Sequence, residues 1–196
     1  MAKKNARNTR GKIVNAAWKL FYEQGYEDTT VEEIIDLSGT SKGSFYHYFD
    51  GKDALLSTLS SLFDEKYEEL MEELTPDMTA MDQLLFLNQE LFKMIEDSIS
   101  LDLLARLYST QLTTSGEKHL LDHNRIYYKL LRKIIAKGRE NGQLSRTSGV
   151  SEMVKLYALC ERALLYDWCL CAGEYSLVEY SSRVLPVFLS SFLPQN

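Results

Sequence analysis

The residues best equipped for recognition chemistry cluster between Thr30 and Lys52. Lys42, Ser44, Tyr46, His47 and Tyr48 bring an ammonium, a hydroxyl, an imidazole and phenols close together, and Gly43 adds backbone without a side chain. Such groups donate to and accept from base edges and phosphate oxygens. They are not a catalytic set. The sequence shows no Ser/His/Asp arrangement, no metal-ligand spacing and no glycine-rich phosphate loop, so the chain is not expected to be an enzyme or to need a cofactor or metal. Phe45 and Phe49, four apart, supply the inward face of a short helix, Lys42 to Phe49, whose other residues are free to touch a partner. The plain alternative is a solvated face on an ordinary bundle helix.

The elements before this helix argue against that alternative. Thr30 followed by Glu33 is a capping box that starts a helix, and Ile34 with Leu37 gives it an apolar face. Ser38 and Gly39 end it, because glycine adopts the left-handed conformation of a helix C-terminus, and Ser41 caps the next helix. Two helices joined by a short glycine-containing turn form a helix-turn-helix, in which the second helix lies in the DNA major groove. Before them, Ile13, Ala16, Ala17, Leu20 and Phe21 recur at helical spacing from Thr9, and Gly25 marks a stop.

Across this stretch the chain resembles the DNA-binding domain of the tetracycline-repressor (TetR) family. The resemblance rests on Ile13, Ala16, Ala17, Leu20, Phe21, Gly25, Tyr26, Thr29, Thr30, Val31, Ile34, Gly39, Ser41 to Tyr46, Tyr48, Phe49, Lys52, Leu55 and Leu56. It departs at Ile35, where the family more often has alanine, and at Thr40, where a small apolar residue is usual. The resemblance implies a sequence-specific regulator of transcription: a homodimeric repressor that leaves a pseudo-palindromic double-stranded DNA operator when a small-molecule effector binds. A transcriptional activator of the same fold, and a helical interaction module without DNA binding, are the alternatives. Chemistry and resemblance together place Lys42, Ser44 and His47 toward base edges, with Gly43 allowing close backbone approach. They place Thr30, Tyr46, Tyr48 and Lys52 toward phosphates, and Tyr46 equally toward a thymine methyl.

The charge is -6, from 22 basic and 28 acidic residues, which at first argues against a polyanion partner. Its distribution overrules the total. Residues 1–22 hold Lys3, Lys4, Arg7, Arg10, Lys12 and Lys19 with no acid, whereas residues 64–74 hold Asp64, Glu65, Glu68, Glu69, Glu72 and Glu73 against Lys66 alone. Screening confines phosphate attraction to about 8 Å at physiological salt, so a basic arm serves DNA on an acidic protein. Residues 1 to about 7 are expected to be disordered until DNA orders them.

The remaining sequence reads as helix throughout, with a composition of 45% hydrophobic and 26% charged residues. The fold expected is all-α: a three-helix helix-turn-helix DNA-binding domain over residues 1–56, then a helical ligand-binding and dimerisation bundle over 57–196. A helix from Lys52 to about Leu74, stopped by Pro76, is expected to connect the two rigidly. Helices then follow over Thr79–Ser98, Leu101–Thr113, from near Glu117 to Asn141, about Val150–Ala172 and Leu177–Leu193, with a kink at Pro186. Nothing in the sequence suggests a membrane span or a secretory signal, and Cys160, Cys169 and Cys171 match no zinc pattern and fit a reducing compartment, so a cytoplasmic location is expected.

The penultimate helix carries apolar residues on two faces. Met153, Tyr157, Cys160, Leu164, Trp168 and Cys171 share one, and Leu156, Leu159, Ala163, Tyr166 and Leu170 form another. Two apolar faces need two partners, the domain itself and a second copy of the chain. The resemblance implies dimerisation through the last two helices, and Leu164, Tyr166, Val184 and Phe188 are the interface candidates. It also implies a small-molecule pocket, for which Tyr108, Gln111, His123, Tyr128, Arg162 and Trp168 are the candidate lining residues.

Overall fold

The computed structural model describes residues 2–113 and 118–194, with side chains from Thr9 onward. Among the described residues there are helices and turns but no β-strand. The chain forms two compact units. The first takes in residues up to Ser61 together with the part of a later helix from Arg106, and the second runs over Leu62–Ala105 and from Lys118 onward.

The first unit contains α1 (Ala2–Gln24), α2 (Val31–Ser38), α3 (Lys42–Tyr48) and α4 (Lys52–Leu56). Its core holds most of the set the periodicity selects: Ile13, Ala17, Phe21, Ile34, Phe45, Phe49, Leu55 and Leu56 are buried, whereas Leu20 is half-buried and Leu37, expected on the inward face of α2, is 46% exposed. The Trp18 and Phe21 rings meet edge to face at 5.6 Å, and the Tyr26 ring lies 5.0 Å from Phe21. Gly25, at φ 86°, turns the chain out of α1. The expected disordered arm is instead helical backbone, because α1 begins at Ala2 and nothing in Ala-Lys-Lys-Asn-Ala-Arg breaks a helix.

The rigid connector expected from Lys52 to Leu74 is interrupted. α4 stops at Leu56, and α5 covers Leu59–Glu73. Between them the amides of Thr58, Ser60 and Ser61 reach back three residues instead of four. The hydroxyls of Ser57, Thr58 and Ser60 donate to the carbonyls of Ala54, Leu55 and Ser57 at 2.6–2.7 Å. Side chains that bond carbonyls one turn back compete with the helical ladder. Trp18 Nε1 donates to Thr58 Oγ1 at 2.9 Å and fixes the break against α1.

The second unit is built from α5, α6 (Ala80–Ser98), the start of α7 (Leu101–Thr113), α8 (Ile126–Glu140), α9 (Val150–Leu170) and α10 (Leu177–Leu189). Here α6 packs on α8 and α10, and α9 packs on the same two helices. α6 and α8 approach closely at Gly138, where a Cβ would fall 2.4 Å from Ala80 Cβ. Arg125 clasps Asp64 with two parallel bonds of 3.0 and 3.1 Å, tying the start of α8 to α5.

α8 starts at Ile126, not near Glu117. A 3-10 turn at His119–Leu121 precedes it, and Asp122 Oδ1 accepts the amide of Asn124 at 2.8 Å, a local bond that diverts the backbone from the helix. α9 ends before Ala172 and Gly173, both at positive φ. Pro186 sits inside α10, which ends at Leu189 and passes into a 3-10 turn, Ser190–Phe192, short of the expected Leu193.

Candidate nucleic-acid interface

Local bonds set the angle between α2 and α3. Thr30 Oγ1 accepts the Glu33 amide at 3.2 Å, and Glu33 Oε2 accepts both the amide and the hydroxyl of Thr30 at 2.8 Å. These bonds, led by the Thr30 amide, hold the Glu33 carboxyl below its ordinary pKa. Gly39, at φ 62°, occupies the left-handed region and returns its amide to Asp36. Ser41 Oγ accepts the Ser44 amide at 3.1 Å and opens α3. Phe45 is fully buried and anchors the helix from below, its ring 5.9 Å from Phe49.

The opposite side of α3 presents Lys42, Gly43, Tyr46 and His47 to solvent, with Ser44 and Tyr48 half-buried beside them. The Lys42 ammonium lies 3.5 Å from the Glu32 carboxylate in an exposed pair, worth little in water and easily exchanged for a phosphate or a base edge. A Cβ on Gly43 would touch nothing nearer than Ser41 Oγ at 4.0 Å, so the bare backbone faces open space. Ser44 Oγ shares a 2.9 Å bond with Ser41 Oγ, and the His47 and Tyr48 rings meet edge to face at 4.8 Å. Arg10 on α1 lays its guanidinium 5.4 Å from the Phe49 ring, a basic group beside the same helix.

Thr30 and Lys52 stand differently from the other residues expected to face DNA. The Thr30 amide and hydroxyl are both engaged by Glu33. Lys52 Nζ donates to the carbonyls of Tyr26, Glu27 and Thr29 at 2.6, 3.1 and 2.8 Å, which uses all three of its protons. Its ammonium also lies 4.3 Å from the centre of the Tyr26 ring, with the Arg106 guanidinium 4.9 Å from that ring. Tyr26 donates its hydroxyl to Asp53, and Arg106 pairs with Glu27. This clasp holds the loop that leads into α2. Sequence periodicity could not reveal it, because its acceptors are backbone carbonyls.

In the second unit, His123, Tyr128 and Arg162 come together. The His123 and Tyr128 rings are 4.7 Å apart, Arg162 Nη1 donates to the Tyr128 hydroxyl at 3.2 Å, and that hydroxyl donates to the Leu120 carbonyl at 3.0 Å. Trp168 is committed elsewhere, with Nε1 donating to the Tyr175 carbonyl at 2.8 Å. Tyr108 and Gln111 lie on the part of α7 that belongs to the first unit.

The interface candidates divide as well. Leu164 is 6% exposed, so it packs inside its own chain, on the α9 face that carries Met153, Tyr157 and Trp168. The opposite face is open: Leu159 is 51%, Tyr166 46% and Leu170 66% exposed, all on one side of α9. On α10, Val187 is 73% exposed, with Val184 and Phe188 half-buried. Burial pushes the Cys160 and Cys169 thiols up to about 11, so they stay protonated and weakly nucleophilic.

The sequence model described as bacterial regulatory proteins of the tetR family matches residues 13–59. An HTH-type transcriptional regulator of Lactococcus lactis is 43% identical over 58 residues, 29% of this chain and 30% of its own length. The chain thus spans about a third of several curated relatives it matches. A fatty acid metabolism regulator protein of Bacillus subtilis aligns over 182 residues at 24% identity, 91% of this chain and 92% of that one. Among solved structures, the Thermus thermophilus FadR, a TetR-family transcriptional repressor in complex with lauroyl-CoA, superposes with a TM-score of 0.71. It shares 23% identity, covering 95% of this chain and 96% of that one. The capped α2 and α3, the exposed polar face of α3 and the helical second unit agree with these likenesses: residues 13–59 carry the DNA-binding domain of the tetR family of bacterial regulatory proteins, and the chain has the fold of the solved FadR.

Proposed function

We propose that the protein is a homodimeric repressor that docks two copies of α3 in successive major grooves of a pseudo-palindromic operator and leaves it when a small molecule binds the second unit. The observation that carries the DNA reading is the division of α3: Phe45 is buried, while Lys42, Gly43, Tyr46 and His47 face solvent together. Lys42, Ser44 and His47 read base edges, Gly43 allows close backbone approach, and Tyr46 and Tyr48 meet phosphates, with Tyr46 equally placed for a thymine methyl. Thr30 and Lys52 act on the DNA through position: one caps α2 and the other clasps the loop before it. The exposed apolar strip of Leu159, Tyr166, Leu170 and Val187 supports the dimer. A twofold axis there would bury the same patch on both copies.

Effector release follows from linkage. A ligand displaces the operator when it binds the DNA-incompetent arrangement more tightly, and the operator then weakens ligand binding by the same factor. Footprinting of genomic fragments with the purified protein tests this reading. The expected result is a small set of protected pseudo-palindromes near promoters. Uniform, salt-labile protection without preferred sites would overturn it.

A further inference from the structure

The second unit buries a carboxyl group that no basic side chain pairs with directly among the described residues. Glu161 on α9 is 4% exposed. Its Oε2 accepts the Tyr127 hydroxyl at 2.6 Å, and its Oε1 accepts Asn88 Nδ2 at 2.9 Å. Among the described residues no basic side chain forms an ion pair with it. The neighbouring Arg162 instead donates to Tyr128. Burying a carboxyl group without an ion-pair partner is costlier than burying an apolar side chain of similar volume, and ionisable groups kept in such places concentrate at functional sites.

A second atom points the same way. Asn88 is 1% exposed, and its Oδ1 has no hydrogen-bond partner. The amide has no better orientation while Glu161 is ionised, because a carboxylate only accepts and Nδ2 must face it. A buried carboxyl group and an unfilled amide oxygen therefore lie side by side between α6 and α9. The Tyr67 and Tyr127 rings, from α5 and α8, pack on each other at 5.1 Å, and Tyr127 turns its hydroxyl edge toward Glu161.

We propose that Glu161 and Asn88 form the polar end of the effector site, and that the site takes a ligand carrying a protonated amine on an apolar body. The ammonium replaces the Tyr127 hydroxyl on Glu161 and gives Asn88 Oδ1 the donor it lacks. An anionic head group would instead meet the Glu161 carboxyl group, with the nearest cation, Arg162, donating to Tyr128. The proposal rests on the reading of the second unit as an effector domain, and it selects the ligand by charge.

Calorimetric titration of the full-length protein tests it, with octylammonium, octanoate and octan-1-ol as probes that share a tail, and lauroyl-CoA for comparison. Octylammonium is expected to bind at least tenfold more tightly than octanoate or octanol. Glu161→Gln, which keeps the side-chain shape, should lower octylammonium affinity tenfold or more and leave octanol unchanged. Tighter binding of octanoate or lauroyl-CoA, equal octylammonium affinity in wild type and a folded Glu161→Gln, or no octylammonium binding up to millimolar concentration would each overturn the proposal. The probe series on the wild-type protein decides the matter even where the variant does not fold. Operator affinity measured on the same samples separates the two readings: amine binding that leaves DNA affinity unchanged supports the site and contradicts the effector role.

Discussion

Lys42 and Lys52 stand ten residues apart on the same small unit, and their surroundings give them different work. Lys42 is exposed and loosely paired with Glu32, so replacing it costs the fold almost nothing. Lys42→Ala is expected to weaken binding to the specific site by about 1–3 kcal/mol, the worth of a lysine on a guanine edge, and to relax preference at one base pair. Equal losses on specific and random duplexes in an anisotropy titration would remove it from base recognition. Lys52 satisfies three carbonyls at once. Lys52→Ala should destabilise the first unit by about 2 kcal/mol, the scale of hydrogen bonds to a charged group, and a chemical denaturation curve would detect it. An unchanged midpoint, with weaker DNA binding at every sequence, would instead return Lys52 to the phosphate contacts.

Glu161 supplies a prediction in pH. Burial raises its carboxyl above the ordinary value of 4.5, against the lowering effect of the bonds from Tyr127, Asn88 and Tyr157 and the charge of Arg162. Tyr67, Tyr127, Tyr157, Cys160 and Arg162 are the titratable groups around it, and burial holds the Tyr127 and Tyr157 phenols well above their usual range, so they stay neutral. As pH rises above 4.5 the unfolded chain ionises Glu161 first. Stability relative to Glu161→Gln is therefore greatest at acid pH and falls as pH climbs through the raised pKa. Parallel melting curves of the two proteins across that range check it, and a constant difference would place the folded pKa at its ordinary value.

At the level of elements, α9 is the helix whose two sides must be told apart. Leu159→Glu or Val187→Glu should leave the chain folded and yield monomers in sedimentation, since each would bury a charge in the dimer at a cost of several kcal/mol. Leu164→Glu should unfold the second unit instead, because Leu164 already packs inside it. If the first two variants remain dimeric at micromolar concentration, the interface lies elsewhere. The sequence displayed both apolar faces of α9, yet periodicity cannot say which one the chain covers itself. Capping told more: Thr30 with Glu33, Gly39 and Ser41 fix both starts and the end of α2 through bonds within four residues, while α3 stops at Tyr48, one residue short of the expected Phe49. The break at Ser57–Ser61 was not, since it depends on hydroxyls turning back to carbonyls and on Trp18 arriving from another helix. The late start of α8 escaped for a similar reason, a short bond from Asn124 to Asp122 that outcompetes one helical turn. Glu161 was visible as an acid in the stripe of Tyr157, Leu164 and Trp168, although its partners on α6 and α8 were not.

The whole molecule joins an exposed polar helix face on an acidic chain to a set of exposed apolar residues on α9 and α10, the surface proposed for a second copy. In the proposed dimer, with its twofold axis along α9 and α10, the distance between the two α3 helices would be set by the interface, so the operator is expected to match it with half-site centres about one helical turn, or a multiple, apart. The most direct measurement takes the operator defined by footprinting and inserts five or ten base pairs between its half-sites. Five base pairs rotate one half-site to the opposite side of the duplex and should reduce affinity to the level of a single half-site, whereas ten should restore part of it. Affinity indifferent to both insertions would mean that one α3 reads the site alone, and the dimeric repressor would be contradicted.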